Sequence, residues 1–148
     1  MTSMNIIFRT DASLNIGTGH VMRCLTLAQA FRYKGARCHF ICREHAGNLL
    51  ELIRQHGFKA HALPMQVILQ EKLVQQDEIN GNILPHAAWL GADWQTDASQ
   101  TKYAIGDLDV NWLIVDHYAL DSRWETELKF HYKKLMVIDD LADRPHAC

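Results

Sequence analysis

The 148-residue chain has the length of one ordinary domain, and its 48% apolar and 22% charged residues are a globular composition. A domain of that size can bury roughly 70% of the surface its unfolded chain exposes. A formal net charge of −2 offers no basic field for nucleic-acid phosphates, so no nucleic-acid partner is expected. No run of roughly 18 apolar residues occurs, and Met1 to Arg9 lacks the basic start and long apolar stretch of a signal peptide, so neither a membrane span nor a leader is expected.

Apolar runs alternate with helical patterns along the chain. Asn5 to Phe8 reads as a first strand, and Val21 to Lys34, rich in helix formers, reads as a helix stopped by Gly35. Cys38 to Cys42 reads as a second strand. Leu49, Leu52, Ile53 and His56 mark one face of a helix that ends at Gly57, and Phe58 to Leu63 follows as a third strand closed by Pro64. Gln66 to Leu84 is glutamine-rich and weakly periodic, which predicts irregular helix and loop. Thr96 to Ile105 reads as a helix ending at Gly106. Trp112 to Val115 is an unbroken apolar run, as expected of a central parallel strand buried on both faces. Ser122-x-x-Glu125 has the form of a capping box, with Trp124 and Leu128 giving the next helix an inner face. Leu135 to Ile138 reads as the last strand. This alternation predicts one α/β domain, a Rossmann-like doubly wound parallel sheet of strand order 3-2-1-4-5.

The cysteines are Cys24, Cys38, Cys42 and Cys148. Cys38 and Cys42 share a sheet face, stand too far apart along a strand to bridge each other, and have no second close pair that would make a zinc site. They are expected to be buried free thiols in a reducing cytoplasm. No metal or other cofactor is expected.

In an open parallel sheet, ligands bind outside the carboxyl ends of the strands. Three segments bring polar residues to that edge: Arg9 to Ser13 with Gly17-Thr18-Gly19-His20, then Asp116-His117-Tyr118, then Asp139-Asp140 with Arg144-Pro145-His146. Gly17 and Gly19 permit backbone conformations closed to other residues and close approach of a ligand. His20 opens a helix, where the positive end of the macrodipole disfavours imidazolium and favours the neutral ring that a general base requires. The plainer alternative is a tight glycine turn capped by His20. Arg23, one turn on, can face the same pocket and meet an anion. Asp11 can orient His20 or Arg23, or satisfy turn amides. Asp116 and His117 stand at a strand end, and Asp139 and Asp140 either position a substrate hydroxyl or structure the next loop. His39, His45, His56, His61, His86 and His131 are scattered without ligand spacing and read as structural or solvated. A dinucleotide fingerprint is missing because Met22 stands three residues after Gly19. A phosphate-binding Walker loop is missing because Gly19 is followed by His20 and Val21.

Two of these segments, Phe8-Arg9-Thr10-Asp11-Ala12-Ser13 and Ile16-Gly17-Thr18-Gly19-His20-Val21-Met22-Arg23-Cys24-Leu25, closely resemble the start of the PseG family. Its members are UDP-2,4-diacetamido-2,4,6-trideoxy-β-L-altropyranose hydrolases of pseudaminic acid biosynthesis. Leu113 to Tyr118 and Val137 to Cys148 continue the resemblance in the same order. The resemblance implies the N-terminal half of a GT-B-like two-domain enzyme, similar to the glycosyltransferase MurG, whose C-terminal half holds most UDP contacts and is absent from this chain. It implies His20 as the base for water attack on the anomeric carbon, with inversion and without a metal. Asp11, Arg23, His117 and Tyr118 would line the sugar side of the cleft. Other readings stay open: a glycosyltransferase of the same architecture, a non-catalytic sugar-nucleotide binding module, and a spore-coat polysaccharide protein related to the family.

Overall fold

A computed structural model describes residues 3–65 and 87–148. The predicted segment from Gln66 to Leu84 lies outside the described residues. Five strands form one all-parallel sheet: β1 (Asn5–Thr10), β2 (Arg37–Arg43), β3 (Lys59–Leu63), β4 (Trp112–Asp116) and β5 (Lys134–Val137). Their order is β3-β2-β1-β4-β5, as the alternation of patterns predicts. The chain runs outward from β1 to β3 and then returns to β4 beside β1, so the switch point lies between the ends of β1 and β4.

Alternation along the strands feeds two cores. On one face Ile6, Phe8, Phe40 and Ile114 pack with Val21, Cys24, Leu25 and Ala28 of α1 (Gly19–Tyr33) and with Leu50 and Ile53 of α2 (Leu50–Gln55). Cys38 and Cys42 both belong to this face, as their spacing requires. On the other face Ile7, Ile41, Leu113 and Val115 pack with Ala98 and Ile105 of α3 (Trp94–Ile105) and Trp124 of α4 (Ser122–Glu127). Trp124 and Leu128 are fully buried, so that inner face is as read from the sequence. Among the described residues, no helix is long and apolar enough to cross a membrane.

The starts of α3 and α4 differ from the sequence reading. α3 begins at Trp94, before Thr96, because the Asp93 side chain accepts from the Thr96 amide at 2.5 Å. At α4 the N-cap is Asp121, whose carboxylate accepts from the Arg123 amide at 3.0 Å. Ser122 is therefore the first helical residue and no Ser122–Glu125 capping box forms. The acid one residue earlier supplies the cap, which frees Glu125 to turn inward.

The α3 face also holds a charged knot, which corrects the placement of Arg9 on the ligand edge. As the penultimate residue of β1, Arg9 points into this core. Its Nε and Nη2 donate to the two Asp97 oxygens at 3.2 and 2.5 Å, and its Nη1 donates to Asp11 at 2.6 Å. Arg43 at the end of β2 donates to Asp97 at 2.6 Å, and the Trp124 indole adds a donor at 2.8 Å. One carboxylate thus ties α3 to β1, β2 and α4. Burial alone would push the Asp97 carboxyl up, but Arg9 and Arg43 outweigh it and hold it below its ordinary value. A depressed carboxylate stabilises the fold above its unfolded pKa of about 3.9, and that contribution disappears as pH falls through the folded value. Thermal melts should therefore drop steeply below about pH 4, and Asp97→Asn should flatten that drop while lowering the neutral-pH melting temperature. An unchanged acid limb in the variant would contradict this role.

Candidate active site

The first crossover starts with a closed turn. Gly17 donates to the Ser13 carbonyl at 2.8 Å, and the Ser13 hydroxyl accepts from Asn15 and Ile16 at 3.2 and 2.8 Å. Gly17 sits at φ +82°, a conformation that requires glycine in practice. Gly19 has no such constraint. At both glycines an added Cβ would meet nothing within 4 Å, so the turn borders open space. α1 begins at Gly19, earlier than the Val21 read from the pattern, and its N-cap Thr18 makes no side-chain cap bond.

This start puts His20 and Arg23 on one side of the first turn of α1, facing the end of β4. Asp116 meets both. His20 Nδ1 lies 2.5 Å from Asp116 Oδ1, while Arg23 Nη2 donates to Oδ1 at 2.6 Å and its Nε donates to Oδ2. Asp116 is wholly buried; burial opposes its charge, but the Arg23 and His20 contacts hold its carboxyl below the ordinary range. Facing an ionised oxygen at 2.5 Å, Nδ1 must carry the hydrogen. The 3.3 Å approach of Arg23 Nη2 to the same nitrogen is therefore a contact between two donors. In the neutral ring this leaves the lone pair on Nε2.

The next residues complete the surround. The Tyr118 ring stands edge-on to the His20 ring at 4.5 Å between centroids, and its hydroxyl donates to Asp140 at 2.7 Å. Asp140, exposed by 57% of its side chain, also lies 3.8 Å from Arg23. The half-buried Trp89 ring lies 6.2 Å from the Tyr118 ring. His20, Arg23, Asp116, Tyr118 and Asp140 thus come together at the switch point.

Three expected site residues do not join them. Asp11 is buried and touches neither His20 nor Arg23. It accepts from Arg9, from the Arg43 amide at 2.7 Å, and at its other oxygen from His117 Nε2 at 2.8 Å, with His45 Nε2 at 3.3 Å. His117 is buried as well: Nδ1 accepts from the Ala119 amide at 3.0 Å, so Nε2 must carry the hydrogen given to Asp11. Burial pushes the His117 ring below its ordinary value, even though Asp11 pulls the other way. Asp139 takes the structural of its two roles, accepting from the Leu141 and Ala142 amides at 3.2 and 3.0 Å. Arg23 faces the same pocket as His20, with its Nε and Nη2 given to Asp116 and its Nη1 lying 3.8 Å from Asp140.

Asp11, His45 and His117 offer ligand atoms within 4.8 Å of one another, the composition of a metal site. The Ala119 amide argues against it, because a ring that accepts at Nδ1 has no lone pair to give at Nε2. Three thiols are poor nucleophiles: Cys24, Cys38 and Cys42 are buried and free, and burial pushes Cys38 up to about 11 and the other two higher still, whereas Cys148 is free and exposed rather than buried.

Sequence reading missed Arg43 and Asp97, took Glu125 for a capping residue, and gave His45 and His146 no partner. Arg43 ends β2 and His45 follows it, so both could have been found by applying the strand-end rule there too. Asp97 lies in an ordinary polar helix and carries no signal. Comparison with protein-family models finds no match, and comparison with curated proteins finds none either. What the chain defines is an α/β protein with a His–Asp pair at its switch point.

Removal of the Asp11 carboxylate takes one buried acceptor from Arg9, which keeps Asp97, and leaves the imidazoles of His45 and His117 without theirs. Asp11→Ala should cost about 3–5 kcal/mol in urea unfolding, and zinc should leave the wild-type midpoint where it was. A zinc-dependent rise would overturn the tautomer assigned to His117.

Proposed function

We propose that this chain is the sugar-side half of an inverting UDP-sugar hydrolase, of the kind its motifs resemble, acting on UDP-2,4-diacetamido-2,4,6-trideoxy-β-L-altropyranose. The His20–Asp116 pair carries the reading. Asp116 fixes the ring, selects the tautomer with a bare Nε2, and stabilises the imidazolium that forms when Nε2 takes a proton. Water placed against Nε2 attacks C1 of the sugar. The electron pair of the C1–O bond leaves on UDP, and configuration at C1 inverts. Glycosidases usually pair the base with a carboxylic acid that protonates the leaving oxygen; UDP leaves without one, so a single base suffices.

Tyr118 and Asp140 border His20 on the side where the sugar would lie. Arg23 in this reading is no phosphate clamp. It holds Asp116 ionised and in place. The UDP end would be gripped by a second Rossmann-like half, as in the GT-B architecture. The enzyme would work in the cytoplasm, where buried thiols stay reduced.

In a protein carrying both halves, His20→Asn should lower turnover about 10²–10⁴-fold with little change in substrate binding. Hydrolysis in ¹⁸O-water should put the label on the sugar. Label on UDP would mean attack at phosphorus, and UDP release only with an acceptor present, with none in water alone, would favour the transferase. The 148-residue chain alone should melt cooperatively yet release no UDP, because positioning of the reacting carbon is worth about 7–11 kcal/mol of barrier. Ordinary turnover by the chain alone would refute the two-half arrangement.

A further inference from the structure

Residues 139–147, which follow β5, form a strap laid across the segment from His117 to Glu125. Arg144 donates to the Leu120 and His117 carbonyls at 2.8 and 3.1 Å, and the Ser122 amide donates to the Pro145 carbonyl at 2.9 Å. His146 ties the strap at two further points. Its Nδ1 lies 2.7 Å from Glu125 Oε2 and its Nε2 lies 2.7 Å from Asp139 Oδ2, while the Ala147 amide donates to Glu125 Oε1 at 2.7 Å. One ring therefore joins α4 to the start of its own strap, and next to that start stands Asp140, the acceptor of the Tyr118 hydroxyl.

We propose that His146 is a positioning residue: by bridging Glu125 and Asp139 it holds the strap in place and so keeps Asp140 against Tyr118, beside His20. This rests on the functional reading only in treating His20 as the reacting group. The bridge needs both ring nitrogens as donors, which only imidazolium supplies. The groups that face the ring are Glu125 from α4 and Asp139 and Arg144 from the strap; Tyr132 stands beside Glu125, its hydroxyl donating to the Glu125 carbonyl at 3.1 Å. Burial and Arg144 work against the charged ring, and the Asp139 and Glu125 contacts outweigh them, so His146 titrates above its ordinary value. A raised histidine stabilises what it holds below an unfolded pKa of about 6.5, and that contribution is lost as pH rises through the folded value. The strap should loosen on the alkaline side.

Amide hydrogen exchange followed by NMR on the 148-residue chain tests this, with protection factors dividing out intrinsic base catalysis. The reporters are Ala147, held by Glu125, and Leu141 and Ala142, held by Asp139. Protection at all three should fall roughly tenfold as pH crosses the His146 titration, the size expected for one charge-assisted bond. Tyr118 ring resonances should shift over the same range. In His146→Gln, protection at these amides should be low and independent of pH. Steady protection across the wild-type titration, or Tyr118 signals that ignore it, would overturn the proposal. The wild-type titration decides even where the variant does not fold. No readout uses a substrate, so the result stands apart from the outcome of the hydrolysis tests.

Discussion

A buried guanidinium at the end of the central strand sets the geometry of the carboxyl edge. Arg9 has no water to solvate it, so its neighbours must supply every acceptor. Asp97 answers from α3 and Asp11 from the loop after β1. With one oxygen committed to Arg9 and the Arg43 amide, Asp11 turns its other oxygen to His117. The ring of His117 then also accepts the Ala119 amide, which fixes the path of the chain leaving β4. Tyr118, the next residue, reaches His20 from that fixed path.

The edge therefore divides into two layers with different work. Arg9, Asp11, Asp97, Arg43, His45 and His117 form a buried polar layer tied together by the carboxylates of Asp11 and Asp97. Asp116 is the boundary. It is wholly buried, yet its partners His20 and Arg23 stand at the crevice, and Arg23 remains 37% exposed at its side chain. A carboxylate held on one side by a permanent cation can orient a histidine on the other without itself taking the proton. This arrangement links the fold to proton transfer.

The sheet was legible because its strands are apolar runs of the right length, interrupted at Gly35 and Gly57 and flanked by helical periodicity. Both the order of the strands and the edge bearing the site followed from that pattern. Within the edge, His20, Arg23, Asp116, Tyr118 and Asp140 were recognisable from strand-end placement. Placement alone does not say whether a polar side chain points to solvent or pairs inward. Asp11 and His117 looked alike to Asp116 in sequence, yet their partners, Arg9 and Ala119, make them internal. Asp97 answers Arg9 from 88 positions away, a separation over which no local pattern carries information. The false capping box at Ser122 has a similar origin: Glu125 was committed to His146, a contact 21 positions off.

The account depends most on which nitrogen of His20 carries the hydrogen. Nitrogen-15 NMR of the histidine-labelled 148-residue chain reads it directly, at a pH where the ring is neutral. The account predicts hydrogen on Nδ1 and a bare Nε2, with the preference lost in Asp116→Asn. Hydrogen on Nε2 in the wild-type chain would mean that Asp116 does not select the base, and the reaction proposed for this site would lose its proton acceptor.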